Sequence, residues 1–271
     1  MWKATLHRFL TNNPFYSPFT QGFFYREKMR AIHKVAPDKN LLEILEVGGG
    51  KSGLTALLYP EARVANLDLS YEYSRAPSNQ QKRVSFICGD AIHLPFKNQS
   101  FDAVTLFDVL EHMPNHKQAV SEVMRVLRPG GFILVSTPNE HWRFPYYKFM
   151  ESFCPSDTEI MAEWGHVRRG YALVELQELI GLPCLDYANF INPCTVLCHD
   201  FAWSNLSSMQ REFFCVMLSP LTWLSYYLHK PEAMGTETAS VWQSDGSTSK
   251  SITLSDEVNH ESCVSANHFA S

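Results

Sequence analysis

The chain is expected to fold as an α/β protein with a doubly wound, mainly parallel, Rossmann-like sheet. Three observations predict this. An apolar run at residues 41–47 leads straight into Gly48-Gly49-Gly50. Strand-type and helix-type stretches then alternate along the chain, and parallel strands need such helical crossovers. Two successive strand-type stretches end in an acid, Asp68 and Asp90, at the strand ends where open α/β sheets bind ligands.

Residues 1–36 are rich in aromatics, among them Trp2, Phe9, Phe15, Tyr16, Phe23 and Phe24, and Pro14 and Pro18 divide them into two short helical pieces. They read as a helical arm packed on the core, and equally as part of a lid. Leu41, Leu42, Ile44, Leu45 and Val47 form a strand covered on both faces. The three glycines let the backbone turn sharply and approach a ligand closely, and the helix opening near Ser52 points free N–H groups at it. Residues 63–68, 83–90 and 101–107 are the next three strands. Val120, Val123, Met124 and Leu127 recur at helical spacing, and Arg128-Pro-Gly-Gly131 stops that helix. Residues 132–136 form a fifth strand.

The aromatic and Pro-rich stretch 139–170 reads as an inserted lid. Leu173, Leu176, Leu179 and Ile180 mark a helix ended by Gly181, and a sixth strand covers 184–191. Residues 195–230 are strongly apolar and are expected to form two helices broken at Pro220, as a second lid insertion. A last strand covers 238–243, and 244–271 read as a disordered tail, rich in polar residues and without periodicity. The main domain is thus expected at 37–243.

A length of 271 residues, 45% of them hydrophobic, suffices for one α/β domain with appendages. The net charge of −5 excludes the basic stripe that a nucleic-acid groove needs. Seven cysteines at irregular spacing, with no Cys-x-x-Cys pair, imply a reduced cytoplasmic setting. The segment 213–228 is too short and interrupted to span a bilayer, which leaves peripheral membrane contact or a greasy pocket wall as its options. Cys194, Cys198 and His199 are spaced like a half metal site, but no second ligand pair accompanies them, so buried apolar cysteines are the favoured reading.

Three nucleotide-type sites begin like residues 41–53. A phosphate-binding P-loop is excluded because the first glycine it needs is Leu45. Gly48-x-Gly50-x-x-Gly53, with Asp68 lying 20 residues after Gly48, formally fits a dinucleotide fingerprint. The third is the S-adenosylmethionine (SAM) loop, acidic-x-Gly-x-Gly-x-Gly, matched by Glu46 to Ser52 with Ser52 in place of the last glycine. The order Glu46-Val-Gly-Gly-Gly50, Asn66-Leu-Asp-Leu-Ser70, Cys88-Gly-Asp-Ala-Ile-His-Leu-Pro-Phe96, Ser100-Phe-Asp-Ala-Val104, Phe107-Asp-Val-Leu-Glu-His112 and Leu127-Arg-Pro-Gly-Gly131 resembles the class I SAM-dependent methyltransferases. It is most similar to the branch acting on small molecules and quinone-type lipids. The likeness covers roughly 41–139, with a weaker echo at 166–169.

The resemblance implies a seven-stranded sheet and a SAM site. Asp68, with Leu69 after it, would take the ribose hydroxyls, and Asp90 the adenine amino group with the Ala91 or Ile92 backbone. Glu46 would sit near the methionine end, and Gly48, Gly49 and Gly50 would let the main chain approach. Phe107 and Asp108 would border the methionine part or the reaction cleft. His112 and His166 are the catalytic or substrate-contacting candidates, with His141 and Tyr171 weaker. Methyl transfer is an in-line displacement that asks mainly for alignment and exclusion of water. No set of acids reads as a metal site, so a metal-independent enzyme is expected. Its acceptor would be a small, lipophilic or aromatic metabolite methylated on O, N or C. A non-catalytic SAM-binding module is the alternative.

Overall fold

The computed structural model describes residues 2–15 and 17–245. Strands β1 (Glu43–Val47), β2 (Arg63–Asp68), β3 (Val84–Cys88), β4 (Phe101–Phe107), β5 (Leu127–Pro138), β6 (Cys184–Phe190) and β7 (Glu237–Gln243) form one sheet. Their order is β3-β2-β1-β4-β5-β7-β6. All neighbours are parallel except β7, which runs antiparallel between β5 and β6. The chain builds outward from β1 to β3, then returns to lay β4 on the other side of β1. That reversal opens a crevice beyond the carboxyl ends of β1 and β4.

Alternation along the strands explains the two layers around the sheet. Ile44, Ala103, Leu134 and Val241 face one core with the N-terminal helices α1 (Leu6–Thr11) and α2 (Gln21–Val35), and with the short α3 (Leu54–Leu58). Leu45, Val104, Ile133 and Trp242 face the other core. There α4 (His116–Val126) buries Ala119, Val120, Val123 and Val126. In the lid stretch, Trp142, Phe144, Met150, Cys154 and Ile160 build a small third core around α5 (Asp157–Trp164). Helix α6 (Leu173–Ile180) ends at Gly181, whose φ of 74° makes the expected left-handed cap.

The expected break at Pro220 is not where the helices divide. Helix α7 (Pro193–Ala202) and α8 (Ser208–Leu228) separate at 203–207, and α8 runs through Pro220. Proline lacks the N–H that would bond the Val216 carbonyl. The Ser219 hydroxyl donates to that carbonyl instead, at 2.7 Å, so the helix continues. The true boundary is set by Ser207, whose side chain caps α8 in a box with Gln210. Strand β5 also begins earlier than expected, at Leu127, with residues 128–131 bulging between its pairings to Phe101 and Ala103. The expected tail lies, from 246 onward, outside the described residues.

Helix α2 is anchored by a buried carboxylate. Glu27 accepts from the Ile191 N–H at 3.0 Å, the Thr195 hydroxyl at 3.0 Å and the Asn192 amide at 3.3 Å. Burial pushes its carboxyl up to about 7, against the pull of those donors. Glu27→Ala leaves them unpaired inside the protein and should cost about 2–4 kcal/mol of stability, with Glu27→Gln recovering part of it. Denaturant unfolding of the three proteins measures this.

His199 packs against the rings of Phe24, Phe144, Trp164 and Trp203, and burial pushes its imidazole down to about 4. In the unfolded chain a histidine titrates near 6.5. Between those values the unfolded state takes up a proton that the native state refuses. Stability is therefore intact above about pH 6.5 and is lost as the pH falls toward 4. His199→Phe should remove on the order of 2 kcal/mol of the stability loss between about pH 7 and about pH 4.5, read from thermal melting of both proteins across that range.

Candidate functional site

The turn after β1 is the floor of the site. Gly48 has φ 65° and Gly50 has φ 51°, a region that side chains disfavour. A Cβ on Gly48 would lie 2.5 Å from a Val109 methyl, and one on Gly49 would lie 2.5 Å from Asn66 Oδ1. The turn's polar atoms are held from below and from the side. The Gly50 N–H donates to Asp68 Oδ2 at 3.0 Å. The Gly50 carbonyl accepts from the Asn66 and Asn79 amides at 3.1 and 2.8 Å. Ser52, which stands where the resemblance has glycine, donates its hydroxyl back to the Gly49 carbonyl at 3.0 Å.

Above this turn lies a cleft of about 360 Å³ lined by Gly48, Asp68, Leu69, Asp90, Ala91 and Ile92, and also by Asp108, Val109 and His112. Six of the ten residues expected around a cofactor therefore share one hollow. Asp68 Oδ1 accepts from Ser70 N at 3.0 Å and Asp90 Oδ1 from Ile92 N at 3.1 Å. These bonds orient both carboxylates at their strand ends and leave each with further acceptor capacity.

The other four lie outside the lining. Gly49 and Gly50 follow Gly48 in the turn, with the Gly50 N–H on Asp68 of the lining. Glu46 is buried beneath it, with Oε1 accepting from the Thr55 N–H at 3.3 Å near the start of α3. Burial pushes its carboxyl up to about 7, opposed by the Thr55 bonds. Phe107 is half-buried and packs on the helical core beside α2.

At the end of β4, Asp108 adopts φ 52° and is gripped from two directions. Ser136 donates to its Oδ1 at 2.7 Å, and Lys28 of α2 forms an ion pair with its Oδ2. Burial alone would lower the Lys28 ammonium, but Asp108 and Tyr25 outweigh it and hold the charge in place. Lys28 and Asn79 went unnoticed in the sequence, and Asn66 was given no role beyond its place in a motif. Lys28 stands 80 residues from its partner, and no local pattern links them.

His112 and His166 come together, with ring centroids 4.8 Å apart. His112 is exposed and lies in the cleft lining. His166 is half-buried between Trp142 and Trp164, and burial, with His112 adding to it, pushes its imidazole down to about 4. Glu111, beside His112, is fully buried, and burial followed by the nearby Asp108 charge raises its carboxyl well above the usual range. The weaker candidates do not join them. Tyr171 is buried, with its hydroxyl donating to the Leu110 carbonyl at 3.1 Å and lying 2.6 Å from His116 Nδ1. His141 is exposed beside Glu140. Cys198 is buried with its thiol on the Phe19 carbonyl, and Cys194 and His199 form no metal-type cluster with it among the described residues.

A methyl group on Gly48 would meet Val109 and strain a left-handed backbone at once. Gly48→Ala should therefore lower affinity for the adenosine-type ligand by at least about tenfold, following a strain of roughly 1–3 kcal/mol, while the protein remains folded. Calorimetric titration and a melting curve check both halves.

Residues 45–135 match the family described as methyltransferase domain. Over 116 residues the chain is 38% identical to the phthiotriol/phenolphthiotriol dimycocerosates methyltransferase of Mycobacterium leprae, covering 40% of this chain and 43% of that one. It is 36% identical over 95 residues to the demethylmenaquinone methyltransferase of Renibacterium salmoninarum, covering 34% and 40%. The chain thus spans less than half the length of these curated relatives. Among solved structures, a SAM-dependent methyltransferase from Thermotoga maritima superposes with a TM-score of 0.52 at 16% identity, covering 82% of this chain and 90% of that one. A chain from the complex of the Haloferax volcanii Trm112 methyltransferase activator with a methyltransferase gives 0.53 at 15%, covering 82% and 91%. These two likenesses bear on the fold, a seven-stranded, mainly parallel sheet as expected. The match to the methyltransferase-domain family thus falls on the segment 45–135, which carries the glycine turn and the two acid-ended strands.

Proposed function

We propose that the chain transfers a methyl group from SAM to an O, N or C nucleophile of a small, lipophilic acceptor. One observation carries this reading: two carboxylates from neighbouring strands, Asp68 and Asp90, border a single cleft over a turn that has no side chains. Adenosine carries a vicinal diol at one end and an exocyclic amine at the other. A carboxylate spaced for each, with bare backbone between them, fits that molecule. Asp68 would accept from the ribose hydroxyls, Asp90 from the adenine amine, and the Ala91–Ile92 backbone would meet the ring. Glu46 would act from beneath the turn, by fixing its shape, more than by direct contact with the methionine end.

SAM supplies an activated methyl on a sulfonium. The protein's share is to bind, orient and exclude water. Lys28 of α2 pairs with Asp108 in the cleft lining, which supports residues 1–36 as a cover over it. The lid stretch 139–170 would close the His166 side, and 195–230 the outer wall, of a domain spanning 37–243. The relatives' named substrates are lipid and quinone precursors, and α8 exposes Met209, Phe213, Met217 and Leu224. Both support a greasy acceptor and peripheral contact with a lipid surface. No helix among the described residues is long and apolar enough to cross a membrane. Six cysteines there are free, which supports a reduced cytoplasmic setting.

Asp68→Ala should weaken SAM binding by more than about tenfold, the order expected for losing charge-assisted bonds to two hydroxyls. Calorimetry with SAM and with its demethylated product measures this. Unchanged affinity would remove the ribose assignment, and tight SAM binding without methylation across a panel of quinols and phenols would remove the transfer reaction.

A further inference from the structure

We propose that Glu111, His112 and His166 form a binding site for one divalent first-row transition ion of the zinc class, on the lid side of the cleft. One donor atom from each of the three lies within 4.8 Å of the others, although His166 is far from the other two in sequence. Glu111 is fully buried, and only one of its oxygens is satisfied. Oε2 accepts from the Thr137 hydroxyl at 3.2 Å, and Oε1 has no hydrogen-bond partner among the described residues. His166 Nδ1 is likewise buried without a partner. Unpaired polar atoms of this kind are costly in a protein interior, and here two of them belong to one cluster.

The third ligand has its tautomer set by its surroundings. His112 Nδ1 lies 3.1 Å from the Gly165 carbonyl. A carbonyl only accepts, so Nδ1 carries the proton and Nε2 keeps its lone pair. Metal-bound histidines are commonly held in this way through their other nitrogen. The frame is also rigid. The Val167 N–H donates to the Glu111 carbonyl at 3.0 Å, and Arg168 donates to the Leu110 and Met113 carbonyls at 2.5 and 2.6 Å. The turn carrying Glu111 and His112 is thereby stitched to the segment carrying His166.

Two imidazoles and one carboxylate suit zinc, cobalt, manganese or iron better than magnesium or calcium, which favour oxygen alone. Tetrahedral bonds of about 2 Å place donors roughly 3.4 Å apart, so the three side chains close by about 1–1.5 Å on loading. Asp108 is not a fourth ligand, since Lys28 and Ser136 already occupy it. His112 lines the cleft, so the ion's open positions face the space where an acceptor would lie. This departs from the metal-independent enzyme that the sequence leads one to expect. It stands on its own geometry, whatever the outcome for SAM.

The test is calorimetric titration of chelator-treated, dialysed full chain with zinc chloride, with no SAM present. Wild type should bind one equivalent. Glu111→Gln and His166→Ala should each weaken binding by about tenfold or more, while His166→Ala keeps its affinity for SAM. Zinc affinity unchanged from wild type in both variants, or no zinc bound by wild type, overturns the proposal. Should the variants fail to fold, zinc-soaked wild-type crystals decide: an anomalous peak between the three residues upholds the site, and its absence there overturns it.

Discussion

A carboxylate inside a folded chain must be met by donors or it destabilises the fold that holds it. Four of them shape this protein around the carboxyl ends of β1 and β4. Glu27 binds the turn between β6 and α7 and so fixes the N-terminal helix to the far edge of the sheet. Glu46 accepts from the Thr55 N–H in the first turn of α3, below the glycine turn. Asp108 is met by Lys28 and Ser136, joining α2 and β5 to the tip of β4. Glu111 is met on one oxygen by Thr137, and its other oxygen is buried without a partner among the described residues. The same requirement that locks three of these groups into the architecture leaves the fourth with capacity for something further.

The cleft follows from the reversal in strand order together with this bracing. Where the chain turns back between β1 and β4, the cleft lies beyond the strand ends. The glycine turn could collapse into that gap, but Asn66 and Asn79 hold its carbonyl and Asp68 holds its amide. Its open face is thereby kept at a constant distance from the two strand-end carboxylates. Preorganisation of this kind costs nothing at the moment of binding. The aromatic N-terminal segment contributes on both levels. Phe23, Met29 and Ile32 fill one core, while Lys28 on the same helix reaches the cleft. One helix thus packs on the core through Phe23, Met29 and Ile32 and touches the cleft lining through Lys28.

Much of this was legible residue by residue. The bounds of β2 and β4 and of α6 agree with the apolar periodicity, because propensity, burial and turn residues there point the same way. Pro220 misled because its cost was assessed from backbone alone, whereas Ser219 compensates locally. Glu46, one of the four expected contact residues outside the cleft lining, has another cause. A strand's residues alternate between faces, so adjacency in sequence to Gly48 does not keep Glu46 from being buried beneath the turn.

The sequence by itself determined the α/β class, the strand-turn-helix that starts the site, and the pair of acids at successive strand ends. These depend on local spacing, and local spacing is written along the chain. Only the tertiary structure decided that Lys28 would meet Asp108 and that His166 would arrive beside Glu111 and His112. Those encounters join segments that become neighbours through the packing of whole helices and loops on the sheet, and no periodicity within any one segment encodes them.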